Sequence, residues 1–282
     1  MNVIELKNVS YKYSAGTPFE HTAVDNVSLE IKKGEFCGII GHTGSGKSTL
    51  IQHFNGLIKP TSGEVLVEGK NIWSKEVNIK DIRFKVGLVF QYSEHQLFEE
   101  TVYKDIAYGP KNMGLDKDEI DKRVRQAAED MGIREELLER SPFDLSGGQK
   151  RRVALAGVMA MKPEILILDE PAAGLDPVGR EKVLTKIKEY HEKYGTTILL
   201  VSHSMEDIVK YSKTVLVMNK GKVFCHDDTD NVFSRQKEIL GIGLDVPQIT
   251  KIVIKLRELG IDLGNDIYTI DRAKERILNY LR

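Results

Sequence analysis

Hydrophobic and polar positions change period along this 282-residue chain. Through residues 3–36 they alternate, first in Val3-Ile4-Glu5-Leu6-Lys7-Asn8-Val9-Ser10 and again in Val27-Ser28-Leu29-Glu30-Ile31, which predicts strands with one buried face. The turn-forming run Ser14-Ala15-Gly16-Thr17-Pro18 separates them. Phe36-Cys37-Gly38-Ile39-Ile40 is apolar throughout and predicts a buried strand. A short strand follows in Gly63-Glu64-Val65-Leu66-Val67-Glu68-Gly69, and another buried one in Val86-Gly87-Leu88-Val89-Phe90.

From about 101 to 161 the period becomes helical. Residues 116–131 form an amphipathic helix with Ile120, Val124, Ala127, Ala128 and Met131 as its apolar side, bracketed by Gly114 and Gly132. Residues 147–161 form another, basic at its start and apolar later. Ile165-Leu166-Ile167-Leu168-Asp169 is a buried strand ending in an acid, followed by a helix over 178–194 and the strand Thr197-Ile198-Leu199-Leu200-Val201. This alternation predicts an α/β fold with a parallel sheet and helices on both faces. Asn219-Lys220-Gly221 joins two apolar runs as a hairpin turn. Beyond 228 a helix begins in Val246-Pro247-Gln248-Ile249-Thr250, with Ile249, Ile252, Val253, Leu256 and Leu259 as its apolar side. A last helix covers 272–281, so residues 228–282 read as an appended helical module.

Composition narrows the function classes. The 41 basic residues balance 42 acidic ones, which argues against a general nucleic-acid-binding surface. There is no apolar run near transmembrane length, and Met1-Asn2-Val3-Ile4-Glu5 lacks the basic start and apolar core of a signal peptide. The expectation is a soluble cytoplasmic chain whose membrane role, if any, runs through a partner. Cys37 and Cys225 lie far apart in strand-like apolar runs and read as packing residues in a reduced compartment. No Cys/His cluster has zinc spacing in the sequence.

Chemistry enters with Gly41-His42-Thr43-Gly44-Ser45-Gly46-Lys47-Ser48, which fits the phosphate-cradling template G-x-x-x-x-G-K-[ST] in its required context of strand, loop and helix. The helix reads as residues 47–55 with Gly56 as its stop. Backbone N–H groups of the loop and the positive end of the helix favour phosphate, Lys47 reaches the outer phosphates, and the Ser48 hydroxyl suits magnesium. Asp169 and Glu170 stand where a buried strand runs out, the place where parallel sheets bind ligands. An Asp there can hold magnesium and the neighbouring Glu can activate water; strand alternation points them different ways. Leu145-Ser146-Gly147-Gly148-Gln149 opens a second helix with a good N-cap and bare glycines, a second anion site.

With these motifs in place, the chain resembles an ATP-binding cassette (ABC) ATPase: residues 41–48, Gln91, residues 145–149, Asp169-Glu170, Ala173-Gly174-Leu175-Asp176 and His203 occur in that family's order, over roughly residues 1–225. The resemblance implies a core domain of residues 1–227 with an antiparallel β subdomain and a helical signature subdomain at about 95–161, and a C-terminal module at 228–282. It implies ATP and Mg2+ as cofactors and a second ABC ATPase facing this one head to tail, so that the Ser146, Gly147, Gly148 and Gln149 segment closes over ATP held by the other subunit. By the same resemblance Gly41, His42, Thr43, Gly44, Ser45, Gly46, Lys47, Ser48 and Thr49 bind the phosphates. Tyr13 stacks on adenine, with Tyr11 as the rival choice because alternation places both on one face. Ser48, Gln91 and Asp169 serve the magnesium ion. Glu170 polarises the attacking water, His203 contacts the γ-phosphate, and Asp176 lies on the turn that crosses the dimer interface.

A narrower resemblance comes from the run Val89-Phe90-Gln91-Tyr92-Ser93-Glu94-His95-Gln96-Leu97-Phe98-Glu99-Glu100-Thr101-Val102. It is similar to the ATPases of energy-coupling factor (ECF) transporters, which drive uptake of vitamins and metal ions. The insertion at 14–21 resembles the long-N-terminus member of their paralogous pair, and Ser141-Pro142-Phe143-Asp144 and Leu244-Asp245-Val246-Pro247-Gln248-Ile249-Thr250 fit as well. Ala172 departs from the Thr common after the Glu-Pro pair, outside the catalytic set. The resemblance implies a peripheral protein on the cytoplasmic face of the cell membrane, docked on a transmembrane coupling subunit that carries a substrate-binding membrane protein. The C-terminal module helps hold the two ATPases together, and Glu94, Glu99 and Glu100 are candidates to receive basic residues of the membrane subunit. The alternatives are the ATPase of a dedicated cobalt or nickel importer and a soluble non-transport ABC ATPase; one motif set and no sustained heptad run weigh against the latter.

Overall fold

The structure, a computed structural model, describes residues 1–281. Its strands form two sheets. The first is antiparallel and joins β1 (Asn2–Tyr13) and β2 (His21–Lys32) to β4 (Ser62–Val67) and β5 (Lys70–Asn71) in the order β2-β1-β4-β5. The second is built around β3 (Phe36–Ile40), with β6 (Val86–Val89), β7 (Ile165–Asp169), β8 (Thr197–Val201), β9 (Thr214–Asn219) and β10 (Lys222–Asp228) in the order β10-β9-β3-β8-β7-β6. All its pairings are parallel except β9 with β10, which fold back through Lys220 and Gly221, both at positive φ (48° and 78°) as a two-residue hairpin turn requires.

Alternation along these buried strands sorts the interior into two cores. Phe36, Ile40, Leu166, Leu168, Ile198 and Leu200 face a core built with helices. Cys37, Ile39, Ile165, Ile167, Leu199 and Val201 face the other, which they share with Val3, Ile4, Leu6, Val27 and Ile31 of the antiparallel sheet and with Leu50, Ile51 and Phe54 of α1 (Lys47–Phe54). Helices lie on both faces, as expected, but on one of them they share the cover with a second sheet. One face is covered by α1 and a second sheet, because β1 and β2 present a continuous apolar side that needs a partner surface.

The helices after β4 are α2 (Ile79–Lys85), α3 (Val102–Asn112), α4 (Lys117–Asp130) and α5 (Gly147–Met159). Side chains of Thr101, Asp116 and Ser146 accept from amides in the first turns of α3, α4 and α5. Ile120, Val124, Ala127 and Ala128 of α4 are buried, as their spacing requires. After α6 (Pro177–Tyr194), capped by Asp176 and ended by Gly195 at φ 65°, comes α7 (Met205–Tyr211). It lies so close to β3 that a Cβ at Gly38 would stand 2.8 Å from Ile208 Cδ1. Helix α7 is too short to show a clear sequence period.

The chain ends in α8 (Thr229–Ser234), α9 (Gln236–Gly241), α10 (Gln248–Glu258) and α11 (Ile270–Tyr280). Val232, Phe233, Ile239, Leu244, Val246 and Tyr268 belong to the helix-side core of the central sheet, whereas Val253, Leu263, Ile267 and Ala273 form a small core of their own. The module boundary read at 228 thus does not coincide with a change of core. On α10 the periodicity places too much inside: Val253 is buried, but Ile252 is 53% and Leu259 78% exposed. Both cysteines carry free thiols, and burial pushes the Cys37 thiol up to about 12. Among the described residues no helix is long and apolar enough to cross a membrane.

Phe233 is fully buried and stacks on Tyr268 with ring centroids 5.8 Å apart. Phe233→Ala is expected to lower the unfolding free energy of the whole chain by roughly 3–5 kcal/mol. Urea denaturation measures it; a loss confined to a minor early transition would place α8 outside the main core.

Candidate nucleotide site

The loop between β3 and α1 is shaped by two steric facts. Gly46 has φ 97°, and a Cβ there would lie 2.2 Å from the Ala23 carbonyl oxygen, so β2 backs the loop directly and only glycine fits. A Cβ at Gly44 would meet nothing within 4 Å, which leaves the cradle open on that side. Helix α1 has no side-chain cap and no acid in its first turn, so its positive end faces the loop uncovered. Lys47 Nζ donates to the carbonyls of Gly41 at 2.6 Å and His42 at 3.1 Å.

Around the loop is a cleft of about 240 Å³ lined by Thr43, Gly44, Gly46, Lys47, Ser48, Thr49, Gln91, Asp169, Glu170, Val201 and His203. Residues more than a hundred positions apart in sequence thus meet at one place, at the carboxyl ends of β3, β6, β7 and β8. Gly41 and Ser45 of the loop do not line the cleft but approach each other, so that a Cβ on Gly41 would stand 2.4 Å from Ser45 Oγ. His42 turns away from the cleft and sits between the Thr43 carbonyl at 2.8 Å and the Asn219 side-chain oxygen at 3.1 Å.

The two carboxylates do not point different ways. Both line the cleft, because Glu170 adopts φ 51° and leaves the strand, so the two-residue period stops at Asp169. Such a φ is costly for a residue with a Cβ and is held here by surrounding bonds, among them Glu170 N to the Val201 carbonyl at 3.1 Å. Burial, reinforced by the neighbouring Asp169 charge, raises Glu170 to about 7. Asp169 is also raised by burial, opposed by the nearby Ser48 hydroxyl and by the charge of Lys47. Lys47 is lowered by burial, and so is His203, which additionally feels the charge of Lys47. His203 Nε2 stands 3.6 Å from Glu170 Oε1, a buried oxygen with no hydrogen-bond partner among the described residues. That orphaned acceptor, the open cradle and the paired hydroxyl and carboxylate of Ser48 and Asp169 suit a triphosphate, a water and a hard cation together.

The tyrosines separate. Tyr11 is half-buried, packs against the core and meets His53 edge to face at 5.2 Å. Tyr13 is 41% exposed and shares a hydrogen bond with the Thr49 hydroxyl at 3.1 Å. Ser146, Gly147, Gly148 and Gln149 do not line the cleft. Ser146 and Gln149 form a capping box, in which the Gln149 amide donates to Ser146 Oγ at 3.4 Å and the Ser146 amide to Gln149 Oε1 at 2.9 Å; only the glycine amides remain bare. Asp176 accepts from the Gly179 amide at 2.8 Å and so caps α6.

The sequence reading missed Arg151. This side chain is 1% exposed. Its guanidinium donates to the carbonyls of Glu170 (3.3 Å), Pro171 (3.0 Å) and Ala173 (3.0 Å) and to Glu94 Oε1 (2.8 Å). Nε also lies 2.6 Å from Glu94 Oε2, off the hydrogen-bond axis. Glu94 is therefore not available to a basic partner; it answers a buried charge within the chain. The available signal was a charged residue on the buried i, i+4 stripe that continues to Leu155 and Met159. Glu100 pairs with Lys104, while Glu99 makes no ion pair among the described residues. Beside them an apolar groove of about 290 Å³ runs between α3 and α5, with Phe98 and Tyr108 exposed and edge to face at 5.0 Å.

Two outcomes follow for the ligand-free protein. Arg151→Met leaves the Glu94 carboxylate and three carbonyls unanswered and is expected to cost roughly 3–5 kcal/mol of stability. Adding Glu94→Gln should recover part of that, read as a double-mutant cycle in urea. Glu170 holds its proton to higher pH folded than unfolded, so it detracts from stability progressively as pH rises from 4.5 to about 7. Glu170→Gln should therefore raise the melting temperature more at pH 8 than at pH 5; an equal shift at both would refute the raised pKa.

Comparison with known proteins agrees with this geometry. The ABC transporter family profile matches residues 24–173. The energy-coupling factor transporter ATP-binding protein EcfA2 of Caldanaerobacter subterraneus subsp. tengcongensis is 54% identical over 279 residues, covering 99% of this chain and 98% of the relative. Among solved structures, cbiO1 from Clostridium perfringens, part of the ABC transporter complex cbiONQ, superposes with a TM-score of 0.75 at 38% identity, over 92% of this chain and 97% of the other. The dimeric ATP-binding cassette MJ0796, bound to ADP and Pi after hydrolysis, gives 0.70 at 29% identity, over 80% and 98%. The chain thus belongs to the ABC transporter family of ATP-binding proteins, alongside the energy-coupling factor ATPases.

Proposed function

We propose that this chain is the ATP-binding and hydrolysing subunit of an energy-coupling factor importer, powering uptake of vitamins or metal ions. The observation that carries the reading is the single cleft shared by Lys47, Ser48, Gln91, Asp169, Glu170 and His203 in a chain of this family. Residues 41–49 cradle the phosphates through backbone amides and Lys47. Tyr13, the more exposed of the two tyrosines, stacks on adenine. Ser48, Gln91 and Asp169 are oxygen donors suited to Mg2+, which when bound neutralises phosphate charge. Glu170 accepts a proton from the attacking water, a role served by its raised pKa and its free Oε1, and His203 contacts the terminal phosphate.

The Ser146–Gln149 segment serves a second cassette. It stands outside this chain's own cleft with its glycine amides bare, and a related cassette has been solved as a dimer with ADP and Pi. The exposed Ile252, Leu259, Ile270 and Leu278 support a role of the C-terminal module (228–282) in joining two ATPases, identical or paralogous. The groove at Phe98 and Tyr108, with Glu99 beside it, receives a transmembrane coupling subunit, which carries the substrate-binding protein and holds the ATPase at the cytoplasmic face of the membrane. A second reading, the ATPase of a dedicated cobalt or nickel importer, draws support from the likeness to cbiO1 and uses the same catalytic residues.

Isolation of the complex from membranes and identification of the co-purifying chains tests the assignment; a second cassette and two membrane proteins are expected, and recovery with ribosomes or DNA alone would overturn it. Glu170→Gln should retain ATP binding and lower hydrolysis by about 100-fold or more. Lys47→Ala should weaken nucleotide binding itself, as equilibrium binding would show.

A further inference from the structure

At the amino end of β3, away from the phosphate cleft, three potential metal ligands converge. Cys37 Sγ lies 3.7 Å from His226 Nε2, and Glu35 Oε1 lies 3.4 Å from the same nitrogen. All three donor atoms fall within 4.8 Å of one another. Glu35 and Cys37 are buried and His226 is half-buried. The residues come from β3 and its approach and from β10, two strands away across β9.

A hydrogen-bonded relay would not look like this. In a relay the carboxylate holds one ring nitrogen and the thiol faces the other. Here both face Nε2, and one N–H can be directed at only one of them. Convergence of sulfur, nitrogen and oxygen on a common point is instead the arrangement that a small cation satisfies. Tetrahedral coordination with bonds of about 2.0–2.3 Å sets ligand atoms roughly 3.3–3.7 Å apart, which matches both measured separations. The carboxylate is held in place from behind. Lys32 N donates to Oε2 at 2.8 Å and the Thr214 hydroxyl donates to Oε1, the kind of outer contact that orients a ligating group. An open groove of about 640 Å³ bordered by Gly34, Lys213, Thr214 and Asp227 admits solvent beside Glu35 and His226.

We propose that Glu35, Cys37 and His226 form a three-ligand site for a divalent transition metal of the zinc class, with its fourth position open to this groove. Thiolate, imidazole and carboxylate together favour zinc or cobalt over magnesium or calcium. Binding releases the thiol proton to solvent and requires the imidazole to be neutral at Nε2. The metal would tie the edge strand β10 to β3, the strand that runs into the phosphate loop. The site uses none of the residues assigned to nucleotide, so it stands or falls separately from the proposed transport role.

The test uses the tag-free full chain, stripped with chelator and free of nucleotide. Titration with Zn2+ against a chromophoric chelator is expected to show about one tight equivalent. Cys37→Ser and His226→Gln should each weaken it by about 100-fold or more, while Cys225→Ser and Asp169→Asn retain it. Cobalt(II) should give a thiolate-to-metal charge-transfer band in the parent and in Cys225→Ser but not in Cys37→Ser. If a ligand variant unfolds, as circular dichroism would reveal, the parent and Cys225→Ser spectra still decide. No charge-transfer band in the parent, or undiminished binding in a folded Cys37→Ser, overturns the proposal.

Discussion

A single buried guanidinium holds the working parts of this protein in register. Arg151 starts from the first turns of α5, donates to three carbonyls of the turn after β7, and pairs with Glu94 just beyond Gln91. Three segments of the cassette, the capped glycine-rich helix, the strand end with its carboxylates and the segment after Gln91, are therefore tied to one charge. An arginine inside a protein is tolerated only when its donors are answered. Its bonds are correspondingly stringent about where the Glu170, Pro171 and Ala173 carbonyls may lie, and that constraint fixes the backbone from which the Glu170 side chain projects.

The position of Glu170 decides its chemistry. Left-handed backbone at φ 51° swings it out of the strand into the cleft, where burial and the neighbouring Asp169 make the ionised form unfavourable. A carboxyl raised to about 7 is a far better proton acceptor at neutral pH than an ordinary glutamate. Lys47, Asp169 and His203 all lie in the same field, each shifted by burial and by the charges of its neighbours. The loop below them can come this close to β2 only because position 46 carries no Cβ. Strain at Glu170, burial of the carboxylates and the close approach at Gly46 thus meet at the cleft.

Much of this was legible in the chain. Strands β3, β7 and β8 are uninterrupted apolar runs, α4 carries its apolar residues at helical spacing between glycines, and the loop template lies between strand and helix; local patterns suffice for all of these. The less legible parts depend on what packs against what. Helix α7 is too short for a period, and its seat on β3 depends on a missing side chain at Gly38. The apolar side of α10 suggested five inward residues, but the small core beside it has room for fewer, so Ile252 and Leu259 face outward. The module boundary read at 228 follows the end of the sheet, while the core continues through Phe233 and Ile239.

By itself the sequence determined the glycine-rich loop between strand and helix, the acid pair at a strand end, the second capped helix and, through the order of these motifs, the family, because each is a contiguous run that does not depend on distant residues. Tertiary structure alone decided which side chains share a site. It placed Asp169 and Glu170 in one cleft when strand alternation would have parted them, separated Tyr13 from Tyr11 by burial, and gave Glu94 to Arg151. It also brought Cys37 within 3.7 Å of His226, 189 positions away, where no sequence spacing could announce it. Local pattern fixes what a segment is; the direction and burial of a side chain depend on the segments that pack around it.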